Sequence, residues 1–154
     1  MRLRRDKIMN EAIIKEGLKR AIKALFNNQP NIFEFTSETI QTEWNIAHHL
    51  ANEIKKIFAD HDCDLDVIKS NLERRRPDII FHKRGTHEFN FLVIEVKRDG
   101  RLAEIEDDKE KIKLYWFGNR LKYQYGAVIN IKNDKSYQVE AFENSKATYR
   151  PLPE

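Results

Sequence analysis

Arg76-Pro77-Asp78-Ile79-Ile80-Phe81 and Leu92-Val93-Ile94-Glu95-Val96-Lys97 are the two stretches that decide the fold. Both read as apolar strands. Both also carry charge where a buried strand should carry none. Asp78 opens the first run, and Glu95 and Lys97 interrupt the second. Such groups are costly in a buried strand unless they are paired or bound to a metal. Side chains at i and i+2 share one face of a strand, so Glu95 and Lys97 point one way and Val96 the other. Phe89, Phe91 and Val93 fall on the Glu95 face by the same rule, so that face is expected to be buried. If the two strands pair, Asp78 meets Glu95 and Lys97 at one spot. Lys83-Arg84-Gly85-Thr86-His87-Glu88 between them reads as a hairpin connection.

Working outward, strands are expected at 77–83 and 89–98, with a first strand at about 64–69 where Leu65 and Val67 alternate. Asp99-Gly100 closes the strand that holds Glu95. Before these strands, two amphipathic helices are expected. The first covers about 6–26, with Ile8, Ala12, Ile14, Leu18, Ala21, Ile22 and Leu25 on its stripe, and residues 27–30 end it. The second covers about 37–59, with Ser37 as N-cap and Ile40, Trp44, Ala47, Ala51, Ile54 and Phe58 on its stripe. After the strands comes a charged helix at about 102–118. Its inward residues are expected to be Leu102, Ile105, Ile112 and either Tyr115 or Trp116. A strand at about 123–131 and a short one at 138–142 follow. Three consecutive strands can form a meander, and a long helix can then return the chain in parallel. The expected architecture is α/β, a mixed sheet with helices on both faces.

The chain of 154 residues suits one domain with a real core. With 34% charged and 40% hydrophobic residues, it reads as a globular protein with a charged surface rather than a disordered one. Five Gly and four Pro leave no flexible linker. The single Cys63 rules out an internal disulfide framework and fits a reducing compartment, so a cytoplasmic location is expected. The basic start has no apolar run after it, and no segment approaches membrane-spanning length. A net charge of +3 says little about partners, because nucleic-acid binding depends on local basic density.

Pro77-Asp78 followed by Glu95-Val96-Lys97 resembles the motif of the PD-(D/E)XK nuclease superfamily, the restriction-endonuclease-like fold. An acid on the preceding helix adds to the resemblance: Glu43, in Thr-Glu-Trp-Asn-Ile-Ala-His-His-Leu. The family core, of order α-β-β-β-α-β, would span about 37–131, with residues 1–30 as an N-terminal helical addition to one domain covering 1–154. The resemblance implies a metal-dependent endonuclease. Asp78 and Glu95 would be direct ligands of Mg²⁺ or Mn²⁺, with the Val96 carbonyl and Glu43 contributing. Lys97 and these three acids would be the catalytic set. The chemistry agrees, since crowded carboxylates repel until a hard, oxygen-seeking cation joins them. Close carboxylates keep Lys97 charged, so it is expected to orient the attacking water and stabilise developing negative charge.

DNA is the expected substrate. Arg74, Arg75 and Arg76 stand just before Asp78 and are candidate contacts to the scissile strand. Lys109 and Lys113 are further candidates, set against a plain reading as a solvated face held by Asp107–Lys111 and Glu110–Lys113 pairs. Tyr115, Trp116 and Phe117 cannot all face inward on one helix, so a homodimer contact is a further expectation. His61-Asp62-Cys63-Asp64 has metal-liking side chains without zinc spacing. Two other readings compete with the active enzyme. One is a relative that binds nucleic acid or protein without cutting. The other is a nuclease subunit that depends on a separate recognition protein.

Overall fold

The computed structural model describes residues 9–34, 41–65, 77–118, 120–147 and 150–153. Its elements are α1 (Glu11–Asn28), α2 (Gln41–Ile57), β1 (Asp62–Leu65), β2 (Ile79–His82), β3 (Leu92–Arg98), α3 (Leu102–Lys111), β4 (Tyr125–Ile131) and β5 (Tyr137–Glu143). A π-helical turn, Ile112–Trp116, continues α3.

The five strands form one mixed sheet in chain order. β1, β2 and β3 run as an antiparallel meander. β4 returns parallel to β3, with Glu95 opposite Val128 and Lys97 opposite Asn130. β5 closes the far edge antiparallel to β4. All seven residues of β4 are buried. That requires cover on both faces, as for a strand reached by a helical crossover.

One face lies under α1 and α2. Ile14, Leu18, Ile22, Leu50 and Ile54 meet Ile79, Phe81, Leu92, Ile94, Val96 and Ile129 there. The other face lies under α3 and its π-turn, where Ile105, Ile112 and Trp116 meet Ile80, Val93, Tyr123 and Val128. Alternation along β3 therefore gives Val96 to the first layer and leaves Glu95 and Lys97 on the α3 side. α1 starts at Asn10, whose side chain accepts from the Ile13 N–H at 3.0 Å, a standard N-cap.

Several expectations need correction. β1 begins two residues earlier than expected, at Asp62. The segment 66–76 lies outside the described residues, and so do Ile8, Ser37, Ile40 and Val67. Trp44 is 61% exposed rather than inward. The buried stripe of α2 runs through Ile46, Leu50 and Ile54. Glu43 is in line with Leu50 and Ile54, and one further residue turns Trp44 about 100° away from them. Leu102, at the first position of α3, is 76% exposed, and Ala12 is exposed as well. Phe91 joins the α1–α2 layer, because β3 begins only at Leu92 and the strand alternation does not extend back to it. β5 is longer than expected, at seven residues. No described helix is long and apolar enough to cross a membrane.

Candidate active site

β2 stops pairing with β3 at Ile79, opposite Ile94, so β3 runs on past its neighbour. Its exposed edge is taken by side chains. The Val96 N–H donates to Asp78 Oδ2 at 2.7 Å. The Arg98 N–H, two residues on, donates to Glu43 Oε2 at 3.4 Å. A strand residue turns its N–H and C=O to the same side. The Val96 carbonyl therefore faces the same edge, between the acids that its own N–H and the Arg98 N–H hold. This places Asp78, Glu43 and Val96 along one short length of β3. Glu95 and Lys97 flank Val96 in the chain.

Electrostatics mark the spot as unusual. Burial holds Glu95 well above the ordinary carboxylate range, and the Asp78 carboxyl adds to this by repulsion and by a shared hydrogen bond. Burial also raises Asp78, against the pull of the Val96 N–H. Glu43 is raised by burial, with Lys97 opposing. Two neighbouring acids, each raised by burial, share a hydrogen bond at a half-buried edge. Such a pair accepts a cation in place of its proton.

Lys97 is the cation the protein itself supplies. Burial pulls its pKa down, but Asp108, Glu43 and Glu95 outweigh that and raise it overall. It is an ammonium at neutral pH. Asp108 Oδ2 lies 3.4 Å from Lys97 Nζ, and Oδ1 lies 3.8 Å from Lys111 Nζ. Asp108 is buried and sits on the inner stripe of α3, between Ile105 and Ile112. Sequence reasoning misses this residue, because the run Glu104 to Asp108 reads as surface acid. The signal is there, since Ile105, Asp108 and Ile112 follow i, i+3, i+7 spacing.

Backbone packing also fixes the lysine. Asn130, opposite Lys97, exchanges two hydrogen bonds with Gly100, at 2.9 and 3.1 Å. A Cβ on Gly100 would lie 2.9 Å from Lys97 Cβ. Glycine is needed there for close approach.

The other sequence candidates are placed differently. Arg74, Arg75 and Arg76 lie outside the described residues. Lys109 pairs with Glu140 at 2.8 Å and with Glu106 at 3.3 Å. Lys113 lies 3.8 Å from Glu110, and Lys111 lies 3.0 Å from Asp107. In the 61–64 run, Asp64 is committed to Arg84 and His82, and the Arg84 hydrogen bonds hold its pKa down at about 2. Trp116 is buried while Tyr115 and Phe117 are half-buried, which leaves Leu114 as the large apolar residue exposed on that turn.

Among the described residues, no three His, Cys, Asp or Glu side chains form a ready-made metal cage. The donor set still fits Mg²⁺ or Mn²⁺. Mg²⁺ sites commonly use one or two carboxylates, with water and substrate phosphate filling the remaining positions. Asp78, Glu95 and the Val96 carbonyl supply oxygen ligands of that kind.

No family model, curated protein or solved structure matches this chain.

Proposed function

We propose that the chain is a metal-dependent nuclease of the PD-(D/E)XK type, hydrolysing phosphodiester bonds with DNA as substrate. One observation carries the reading. Asp78 is held by the Val96 N–H next to Glu95, with Lys97 on the same face of a strand that outruns its neighbour. The α-β-β-β-α-β run from α2 to β4 supports it.

Asp78 and Glu95 would hold the cation, together with the Val96 carbonyl. Glu43, fixed by the Arg98 N–H, would take a water of the same ion. Mg²⁺ or Mn²⁺ bound there supplies Lewis-acid stabilisation of the phosphate and a more acidic water. Lys97 keeps its proton, so it donates hydrogen bonds. It orients the water and offsets charge that develops on the phosphate oxygens. Asp108 positions Lys97, with its Oδ2 3.4 Å from Nζ, and keeps the ammonium charged.

The test is cleavage of labelled DNA and RNA with Mg²⁺ or Mn²⁺, comparing wild type, Asp78→Asn, Lys97→Ala and an EDTA control. Cleavage by wild type alone, abolished by EDTA, supports the assignment. Equal cleavage by all three proteins would reject it.

A further inference from the structure

The end of the sheet opposite the carboxylates carries a second polar feature. An open cleft of about 610 Å³ lies between the β2–β3 connection, the segment before β4 and the segment after β5. Arg120, Lys122, Lys146 and Arg150 line it. All four are exposed, and none is ion-paired among the described residues. The lysines of α3 and its π-turn behave differently, for Lys109, Lys111 and Lys113 each have a carboxylate within 4 Å. Among the described residues, Glu88 is the only acid lining the cleft. Lys122 is also held at φ 44°, a conformation that side chains other than glycine rarely adopt. Four cations gathered from two chain segments, with one acid lining the same cleft, make a site for an anion.

Gln124 adds an independent requirement. It lines the same cleft, is only 5% exposed, and its Oε1 has no hydrogen-bond partner among the described residues. A buried, unpartnered acceptor calls for a donor. A ligand that satisfies both features carries anionic oxygens and an N–H group together. The phosphates and base amines of a nucleotide unit do so, and the cleft lies within the usual size range for such ligands.

We propose that this cleft binds a nucleic-acid strand, with phosphates against Arg120, Lys122, Lys146 and Arg150 and a base N–H at Gln124. The site is separate from the acid pair. Gln124 precedes the Tyr125–Leu92 pair and Glu95 pairs with Val128, so the two lie about 13 Å apart along the strands. The proposal goes beyond the nuclease reading and does not need it, because binding here requires neither metal nor cleavage.

The experiment is fluorescence anisotropy of a short labelled single-stranded DNA in EDTA, over a range of salt. The variants are Arg120→Ala with Lys122→Ala, and Lys146→Ala with Arg150→Ala. Lys109→Ala with Lys113→Ala is the control, since it removes the same charge from paired lysines. Each cleft double variant should weaken binding at least tenfold. Each should also flatten the log–log salt slope by about 1.4, because two phosphates are no longer neutralised. The control should bind as wild type does, and all variants should melt like wild type. Equal weakening by control and cleft variants, or no binding by wild type, would overturn the proposal. So would competition by a free mononucleotide as strong, phosphate for phosphate, as by the oligonucleotide. A wild type that binds through the cleft yet cuts nothing when Mg²⁺ or Mn²⁺ is supplied would reject the nuclease reading and leave this one standing.

Discussion

Glu95→Gln should change how the stability of the metal-free protein depends on pH. In the fold, burial and the Asp78 neighbour raise the pKa of Glu95 well above its ordinary value of 4.5. The folded chain therefore keeps a proton that the unfolded chain releases. Its contribution to stability is fully present below 4.5 and is lost as pH climbs towards the folded-state value. One retained proton lowers stability by about 1.4 kcal/mol for each pH unit in that interval. Gln can still donate to Asp78 but has no charge to lose. The stability of the variant relative to wild type should therefore rise between about pH 5 and pH 6, with about 1.4 kcal/mol per pH unit as the ceiling for one proton. Asp108 and Glu43 are present in both proteins, and Asp78 titrates together with Glu95, so the difference reports the proton that the pair shares. Urea unfolding in EDTA at the two pH values measures it. Parallel pH dependences for the two proteins would refute the claim that Glu95 is held protonated by its surroundings.

Three other perturbations act on named side chains. A double-mutant cycle on Lys97→Met and Asp108→Asn should give a coupling of about 1–3 kcal/mol by chemical denaturation. A value near zero would mean that the 3.4 Å approach is mere adjacency. Gly100→Ala should destabilise by about 1–3 kcal/mol, because the new methyl overpacks against Lys97. It should also cut cleavage by more than its loss of melting temperature explains. Burial lowers the pKa of His61 to about 4, and the ring stacks 4.3 Å from Phe91. Its contribution is whole above about 6.5 and is lost as pH falls, so wild type should lose about 2 kcal/mol from this group between about pH 6.5 and pH 5. His61→Phe keeps the stack and should remove that loss, as urea melts at the two pH values will show.

Much of the framework is legible in the sequence because hydrophobic period and charge placement agree. The strands expected around Asp78 and Glu95 rest on apolar runs bounded by turn residues, and both strands form within those spans. The parallel return of β4 follows from the length of the helix before it. The errors share a physical cause. Period alone gives a stripe without its centre, so it puts Trp44 in the core when the stripe centres nearer Glu43. Leu102 keeps helical spacing but stands at the start of α3, and it is exposed there. Asp108 is hidden by its own chemistry, because an acid within an acidic run reads as surface unless its stripe position is weighed against its charge. The cleft is beyond sequence reading for another reason. Arg120 and Lys146 are brought together only by sheet topology.

The most direct test of the central claim is Mg²⁺ and Mn²⁺ titration by calorimetry, on wild type and Asp78→Ala in parallel. The expected result is binding to wild type with proton release, as the Asp78–Glu95 pair gives up its proton, and no binding to the variant. Equal binding by both proteins would contradict it, because the ion would then be held somewhere other than the edge of β3.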